Sequence, residues 1–156
     1  MKIGIISDTH DLLRAEVIEH LQGCEVILHA GDLTSRRILD RLQNIAPVLA
    51  ARGNCDYGDS GLAERLPLRK EAELAGKKIL IVHRSADIPR DAEKYDLVVY
   101  GHSHAYSEEE EKGVLYLNPG SCGPGRFGRP VTMARADLSP EGIRIEKIEI
   151  GPGPGR

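Results

Sequence analysis

Strands alternating with helices, hairpin signals past the midpoint, and polar clusters at nearly every strand end predict an α/β fold. The N-terminal half reads as a parallel sheet and the C-terminal half as β-rich. With 156 residues, one domain over 1–150 is expected, and at this size folding buries about 70% of the chain's surface. The Gly/Pro-rich stretch 151–156 is expected to be a flexible tail.

The elements follow in order. Lys2 to Ser7 is a β-branched apolar run, hence a buried strand. Leu12, Leu13, Glu16, Val17, His20 and Leu21 have helical spacing, and Gly23 ends that helix. Val26 to His29 is a second strand, and Ser35 to Leu42 a helix with Ile38, Leu39 and Leu42 on one face. Pro47 to Ala51 is a third strand, followed by a polar loop over 52–64. Lys78 to His83 and Leu97 to Tyr100 are further buried strands, with a short helix over Asp91 to Lys94 between them. Two hairpins complete the pattern, 108–117 around Lys112-Gly113 and 131–150 around residues 139–142.

Composition excludes several functional classes. The net charge of −3 gives no broad basic face for extended nucleic acid, and the absence of Trp with a single Phe removes stacking platforms for single strands. No apolar run reaches the roughly 20 residues of a membrane span, and no leader pattern is visible, so the cytoplasm is expected. Cys24, Cys55 and Cys122 are odd in number and widely spaced, which points to reduced thiols.

The chemistry gathers at strand ends. Asp8-Thr9-His10 follows the first strand, Gly31-Asp32 the second, and Gly53-Asn54-Cys55-Asp56 the third; later strands close on His83 and on Gly101-His102-Ser103-His104. In an extended segment, residues two apart share a side, so Asp8 and His10 are expected to approach one ion together. Glycines before Asp32, Asn54 and His102 suit a chain that turns sharply and crowds a site. Ligands bind at the carboxyl ends of strands in open α/β sheets. A mixture of imidazole, carboxylate and amide suits Mn, Fe, Zn, Co or Ni, and seven donors suit two ions sharing a carboxylate.

This series of motifs, in this order, resembles the calcineurin-like metallophosphoesterase superfamily, and the Gly-Asn-Cys-Asp form resembles its YfcE-like phosphodiesterase branch. The resemblance runs from Lys2 to about Ser121. It implies a metallophosphoesterase-type αββα four-layer sandwich with a dinuclear metal site at the strand carboxyl ends. It further implies that Asp8, His10, Asp32 and His104 hold one divalent ion and that Asp32, Asn54, His83 and His102 hold the second, with Asp32 as the bridge. Mn²⁺ is the leading expectation for both ions, with Ni²⁺, Fe²⁺ and Zn²⁺ as alternatives.

The expected activity is hydrolysis of small phosphodiesters by in-line attack of a hydroxide bridging the ions, with Asp32, Asn54 and His102 in catalytic roles. Three residues are candidates for substrate binding. Arg36 lies four residues after Asp32, where related phosphatases place a phosphate-gripping Arg, but Ser35 breaks the remainder of that motif. Cys55 stands where many superfamily members carry a His that protonates the leaving group, and a thiol is the poorer acid. Arg84 replaces the Gly usual in the branch after the His83 position.

Other readings stand beside this one. A phosphomonoesterase would use Arg36, and a nuclease would require DNA-binding parts not seen here. A non-catalytic interaction scaffold is also known within the fold, in the retromer subunit similar to this branch. Each motif alone is ordinary turn chemistry. His29 is expected to pack or to support Asp32, His20 to lie on a helix surface, and Glu108 to Glu111 to form a solvated edge. The remaining expectations are a small phosphodiester as partner, no membrane, and a homo-oligomer.

Overall fold

The computed structural model describes residues 1–58, 61–125 and 128–151. Among the described residues, ten strands form two five-stranded sheets. The first contains β1 (Lys2–Ile6), β2 (Val26–His29), β3 (Val48–Ala50), β9 (Val131–Ser139) and β10 (Gly142–Gly151), in the order β10-β9-β1-β2-β3. The second contains β4 (Arg69–Leu74), β5 (Lys77–Val82), β6 (Leu97–Val99), β7 (Ser107–Glu111) and β8 (Val114–Asn118), in the order β4-β5-β6-β8-β7.

Each sheet has a parallel centre. In the first, β1-β2-β3 run parallel and the β9–β10 hairpin adds antiparallel beside β1. In the second, β5-β6-β8 run parallel, with β4 and β7 antiparallel at the edges. The parallel centre of the second sheet has no counterpart in the β-rich expectation. The β5–β6 crossover passes through two short 3₁₀ turns, Ser85–Asp87 and Ala92–Lys94, rather than a full helix, and the β6–β8 crossover runs through the edge strand β7. The 131–150 hairpin crosses back to join the N-terminal sheet.

Side-chain alternation explains the layers. Ile3 and Ile5 of β1, Ile79 and Ile81 of β5, and Leu97 and Val99 of β6 fill the space between the sheets. Ile6 faces the other way, onto Val17 and Leu21 of α1 (Ala15–Leu21) and Ile38 and Leu42 of α2 (Arg36–Gln43). Leu80, Val82 and Val98 face outward onto Ala92 and Tyr95, so the fourth layer is thin and built from 3₁₀ turns. Buried on both faces, these central strands read as unbroken apolar runs.

Ser35 caps α2 by accepting the Ile38 N–H at 3.4 Å. The loop expected over 52–64 contains a single helical turn, α3 (Leu62–Arg65). Gly151 is the last residue of β10, so the strand takes the first position of the expected tail; 152–156 lie outside the described residues. The Glu108 to Glu111 run is exposed on the edge strand β7, as expected. No helix among the described residues is long and apolar enough to cross a membrane. None of the three cysteines forms a disulfide.

Candidate metal centre

The parallel strands of both sheets deliver their carboxyl ends to one crevice, as the ligand-binding rule for such sheets requires. The loops after β1, β2 and β3 carry Asp8, His10, Asp32, Asn54 and Cys55, while those after β5 and β6 carry His83, His102 and His104.

The side chains converge closely. Asp8 Oδ1 lies 3.7 Å from His10 Nε2, 3.4 Å from His104 Nε2 and 3.9 Å from His83 Nε2. Asp32 Oδ2 lies 3.5 Å from His10 Nε2 and 3.2 Å from His83 Nε2. Three overlapping groups, Asp8/His10/His104, Asp8/Asp32/His83 and His10/Asp32/Cys55, each bring their ligand atoms within 4.8 Å of one another. Asp8 and Asp32 are both buried.

Two candidate ligands sit further out. His102 is exposed, with Nδ1 3.3 Å from His83 Nε2, so it borders the cluster through that ring. Asn54 is exposed too, and its amide donates to Cys55 Sγ at 3.4 Å. Arg36 is exposed in the first turn of α2. Arg84 is exposed and lines a cavity beside His83.

One geometric expectation is corrected. Asp8 and His10 are not on an extended segment, because their φ angles are +56° and +44°. The chain twists through left-handed conformations because the backbone is laced to the neighbouring loop: the Asp8 N–H donates to Gly31 O and the His10 N–H to Asp32 O, both at 3.0 Å. Asp32, His102 and His104 also have positive φ, at +62°, +74° and +61°. Such conformations are costly for residues with a Cβ, and they cluster where surrounding structure enforces them for function.

The glycines act through close approach. A Cβ on Gly53 would fall on the Asp32 carboxylate and backbone, and one on Gly101 would fall on Ser7 Oγ. Neither has a positive φ, so the requirement there is space alone.

Buried side chains around the cluster hold it in place. Ser7 Oγ donates to Asp8 Oδ2 at 2.6 Å, and the His102 N–H reaches the same oxygen at 3.1 Å. The Cys55 N–H donates to Asp32 Oδ1 at 2.8 Å. Asp56 accepts three backbone N–H groups, from Asp32 at 2.9 Å and from Thr34 and Gly53 at 2.8 Å. Asn118 donates to Gly101 O at 3.3 Å and to Ser103 Oγ at 3.0 Å, and Ser121 Oγ donates to Asp8 O at 2.9 Å. Sequence reading missed the roles of Ser7 and Asp56; a carboxylate closing a Gly-Asn-Cys-Asp loop was the available signal.

His29 supports the site at one remove. Its Nδ1 accepts the Gly31 N–H at 3.0 Å, which leaves the ring proton on Nε2, 3.1 Å from Thr9 Oγ1. It therefore braces the residues beside Asp32 and between Asp8 and His10. Burial drives its pKa down to about 3, so the ring is neutral. His83 Nδ1 donates to Ala30 O at 2.8 Å, which aims Nε2 at the carboxylates.

The electrostatics favour cations. Burial opposes ionisation of Asp8, but His10, His104, His83 and the Ser7 hydroxyl together hold its carboxyl well below the usual range. Asp32 is likewise lowered against burial by His83 and the Cys55 N–H. Burial opposes charging of His83 as well, yet bonding to Asp32 and the charges of Asp8 and Asp32 raise it. Burial, His83 and Arg84 lower His102. Burial raises Asp56 against the pull of its three N–H donors.

Three buried polar atoms on the cluster's residues, Asp8 Oδ1, His10 Nε2 and His104 Nδ1, have no hydrogen-bond partner among the described residues. Buried groups of this kind ordinarily find one. Converging carboxylate and imidazole lone pairs without donors to satisfy them fit divalent cations of borderline hardness.

The chain belongs to the calcineurin-like phosphoesterase superfamily, whose domain model matches residues 1–141. A phosphodiesterase of Methanocaldococcus jannaschii is 34% identical over 140 residues, covering 78% of this chain and 84% of that protein. Phosphodiesterase YfcE of Escherichia coli K12 is 25% identical, with 88% of each chain covered. Among solved structures, a novel archaeal phosphodiesterase superposes with a TM-score of 0.79 at 31% identity, over 95% of this chain and 100% of that one. Vacuolar protein sorting 29 of Cryptosporidium parvum superposes with a TM-score of 0.72 at 20% identity, over 96% and 97%, a likeness of fold alone.

Proposed function

We propose that this protein is a divalent-metal-dependent phosphodiesterase acting on small phosphodiesters. The observation that carries the proposal is the convergence of Asp8, His10, Asp32, His83 and His104 with buried lone pairs left without donors. Kinship with proteins named as phosphodiesterases supports it.

In this reading Asp8, His10, Asp32 and His104 hold one ion, and Asp32, Asn54, His83 and His102 the other. When bound, divalent ions supply Lewis acidity, neutralising phosphoryl charge and bringing the pKa of water toward neutrality; Mn²⁺ matches the donor set. His83 is held in a ligating orientation by Ala30 O. Asn54 and His102 are the exposed members of the set, and in this reading they also donate to the oxygens of the phosphate.

Cys55 lies beside His10 and Asp32 and offers a poorer leaving-group acid than an imidazole. Aryl diesters therefore react better than alkyl diesters, and Cys55→His narrows the difference.

The test is hydrolysis of bis(p-nitrophenyl) phosphate beside p-nitrophenyl phosphate by metal-stripped protein, with and without added Mn²⁺. Metal-dependent turnover mainly of the diester is expected. Preference for the monoester would promote Arg36 to a phosphate clamp, and no turnover with no bound metal would leave an interaction scaffold.

A further inference from the structure

Beside the candidate centre lies a cavity of about 300 Å³ that shares Gly53, Asn54 and His83 with it. Its outer wall is formed by Tyr57, Leu68 and Arg84. Tyr57 and Leu68 are 59% and 40% exposed, so two of the four large exposed apolar side chains among the described residues border this one cavity. A site of this volume is at the lower end of the range for small-molecule ligands, which pair apolar walls with a few placed polar groups.

The two guanidinium groups of the wall have different commitments. Arg52 donates to Ala63 O at 3.2 Å and to Leu66 O at 3.4 Å, and lies 5.3 Å from the centre of the Tyr57 ring. It therefore ties α3 to the loop after β3 and holds the Tyr57 face in place. The Arg84 side chain makes no hydrogen bond or ion pair among the described residues, and Asp87, the carboxylate in the same wall, does not pair with it. The Arg84 charge nevertheless reaches the centre, since it contributes, after burial and His83, to lowering His102.

We infer that this cavity receives one arm of the diester, and that the preferred arm is a ring carrying a second anionic group, with Arg84 gripping that anion. The inference rests on the phosphodiesterase reading for the identity of the scissile group. Tyr57 supplies a flat face for the ring and Leu68 an apolar contact. A guanidinium recognises a phosphate or carboxylate by parallel charge-assisted hydrogen bonds, which an arm ending in a neutral group cannot provide. Nucleotide-like diesters with a further phosphate meet this description.

The test is calorimetric titration of Mn²⁺-loaded protein with thymidine 3′,5′-bisphosphate and with thymidine 5′-monophosphate, for wild type, Arg84→Gln and Arg84→Lys. The bisphosphate is expected to bind wild type roughly tenfold more tightly, the preference to fall to nearly one in Arg84→Gln, and Arg84→Lys to restore part of it. Because the ratio is read within each protein, a general loss of binding cancels. Equal affinities in wild type, or an unchanged ratio in Arg84→Gln, would overturn the inference. Hydrolysis of bis(p-nitrophenyl) phosphate by the same wild-type preparation, measured in parallel, separates that failure from failure of the phosphodiesterase reading.

Discussion

The Asp56 carboxylate accepts the backbone N–H of Asp32 at 2.9 Å, so the loop after β3 fixes the position of the central carboxylate of the site. The same oxygen takes the Gly53 N–H at 2.8 Å, and the other oxygen takes Thr34 at 2.8 Å. Replacing Asp56 with Asn turns one acceptor oxygen into a donor and leaves at least one buried N–H facing it. A loss of about 2 kcal/mol is expected, or roughly 4–8 °C in Tm for a chain of this size. Differential scanning calorimetry checks this; a Tm within about 1 °C of wild type would remove Asp56 from the account.

Gly53→Ala tests crowding at the same place. Its methyl would fall on the Asp32 carboxylate and backbone, which cannot move without breaking the bonds to Asp56 and Cys55. Destabilisation of about 1–3 kcal/mol and weakened Mn²⁺ binding are expected together. Wild-type metal affinity in a folded Gly53→Ala protein would show that the loop has more room than the structure gives it.

Metal binding should be strongly pH-dependent. Against the opposing effect of burial, Asp32 and Asp8 raise the His83 pKa, so the metal-free ring keeps its proton to higher pH than a free imidazole does. An ion bound at Nε2 must displace that proton, so affinity falls as pH drops through the raised value, approaching about tenfold per pH unit for one proton. Mn²⁺ titrations between about pH 8 and pH 6 measure the slope, and calorimetry in two buffers counts the protons released. His83→Asn should flatten the dependence; an unchanged slope would place the titrating group elsewhere.

His29 predicts an acid-sensitive fold. Burial lowers its pKa to about 3, whereas an unfolded His titrates near 6.5. Between these values the unfolded chain binds more protons than the folded one, so stability is lost as pH falls through this window. The share due to His29 is roughly 2 kcal/mol between about pH 7 and pH 5. Urea unfolding of metal-free wild type and His29→Gln at both pH values isolates it. Equal pH dependence in the two proteins would contradict a neutral, buried His29.

Much of the fold was legible because the central strands are buried on both faces and read as apolar runs ending in polar clusters. KIGII, VILH and KILIV lie within one residue of the strands they form. The parallel core of the second sheet was not legible, because the β5–β6 crossover uses two 3₁₀ turns in place of a full helix and the β6–β8 crossover runs through the edge strand β7. The convergence of Asp8, His10, Asp32, His83 and His104 followed from strand-end placement alone. The left-handed backbone of Asp8, His10, Asp32 and His104 did not, since Asp and His do not mark positive φ as Gly does. Asp56 went unread for a related reason: its three partners are backbone N–H groups, which no side-chain pattern announces.

The most direct test of the central claim is metal stoichiometry, by equilibrium dialysis against Mn²⁺ with elemental analysis, for wild type and Asp32→Asn. Two ions per wild-type chain are expected, with both lost or severely weakened in a folded Asp32→Asn protein, because in the proposed arrangement one carboxylate serves both. Wild type that binds no ion, or Asp32→Asn that retains both, would contradict the claim.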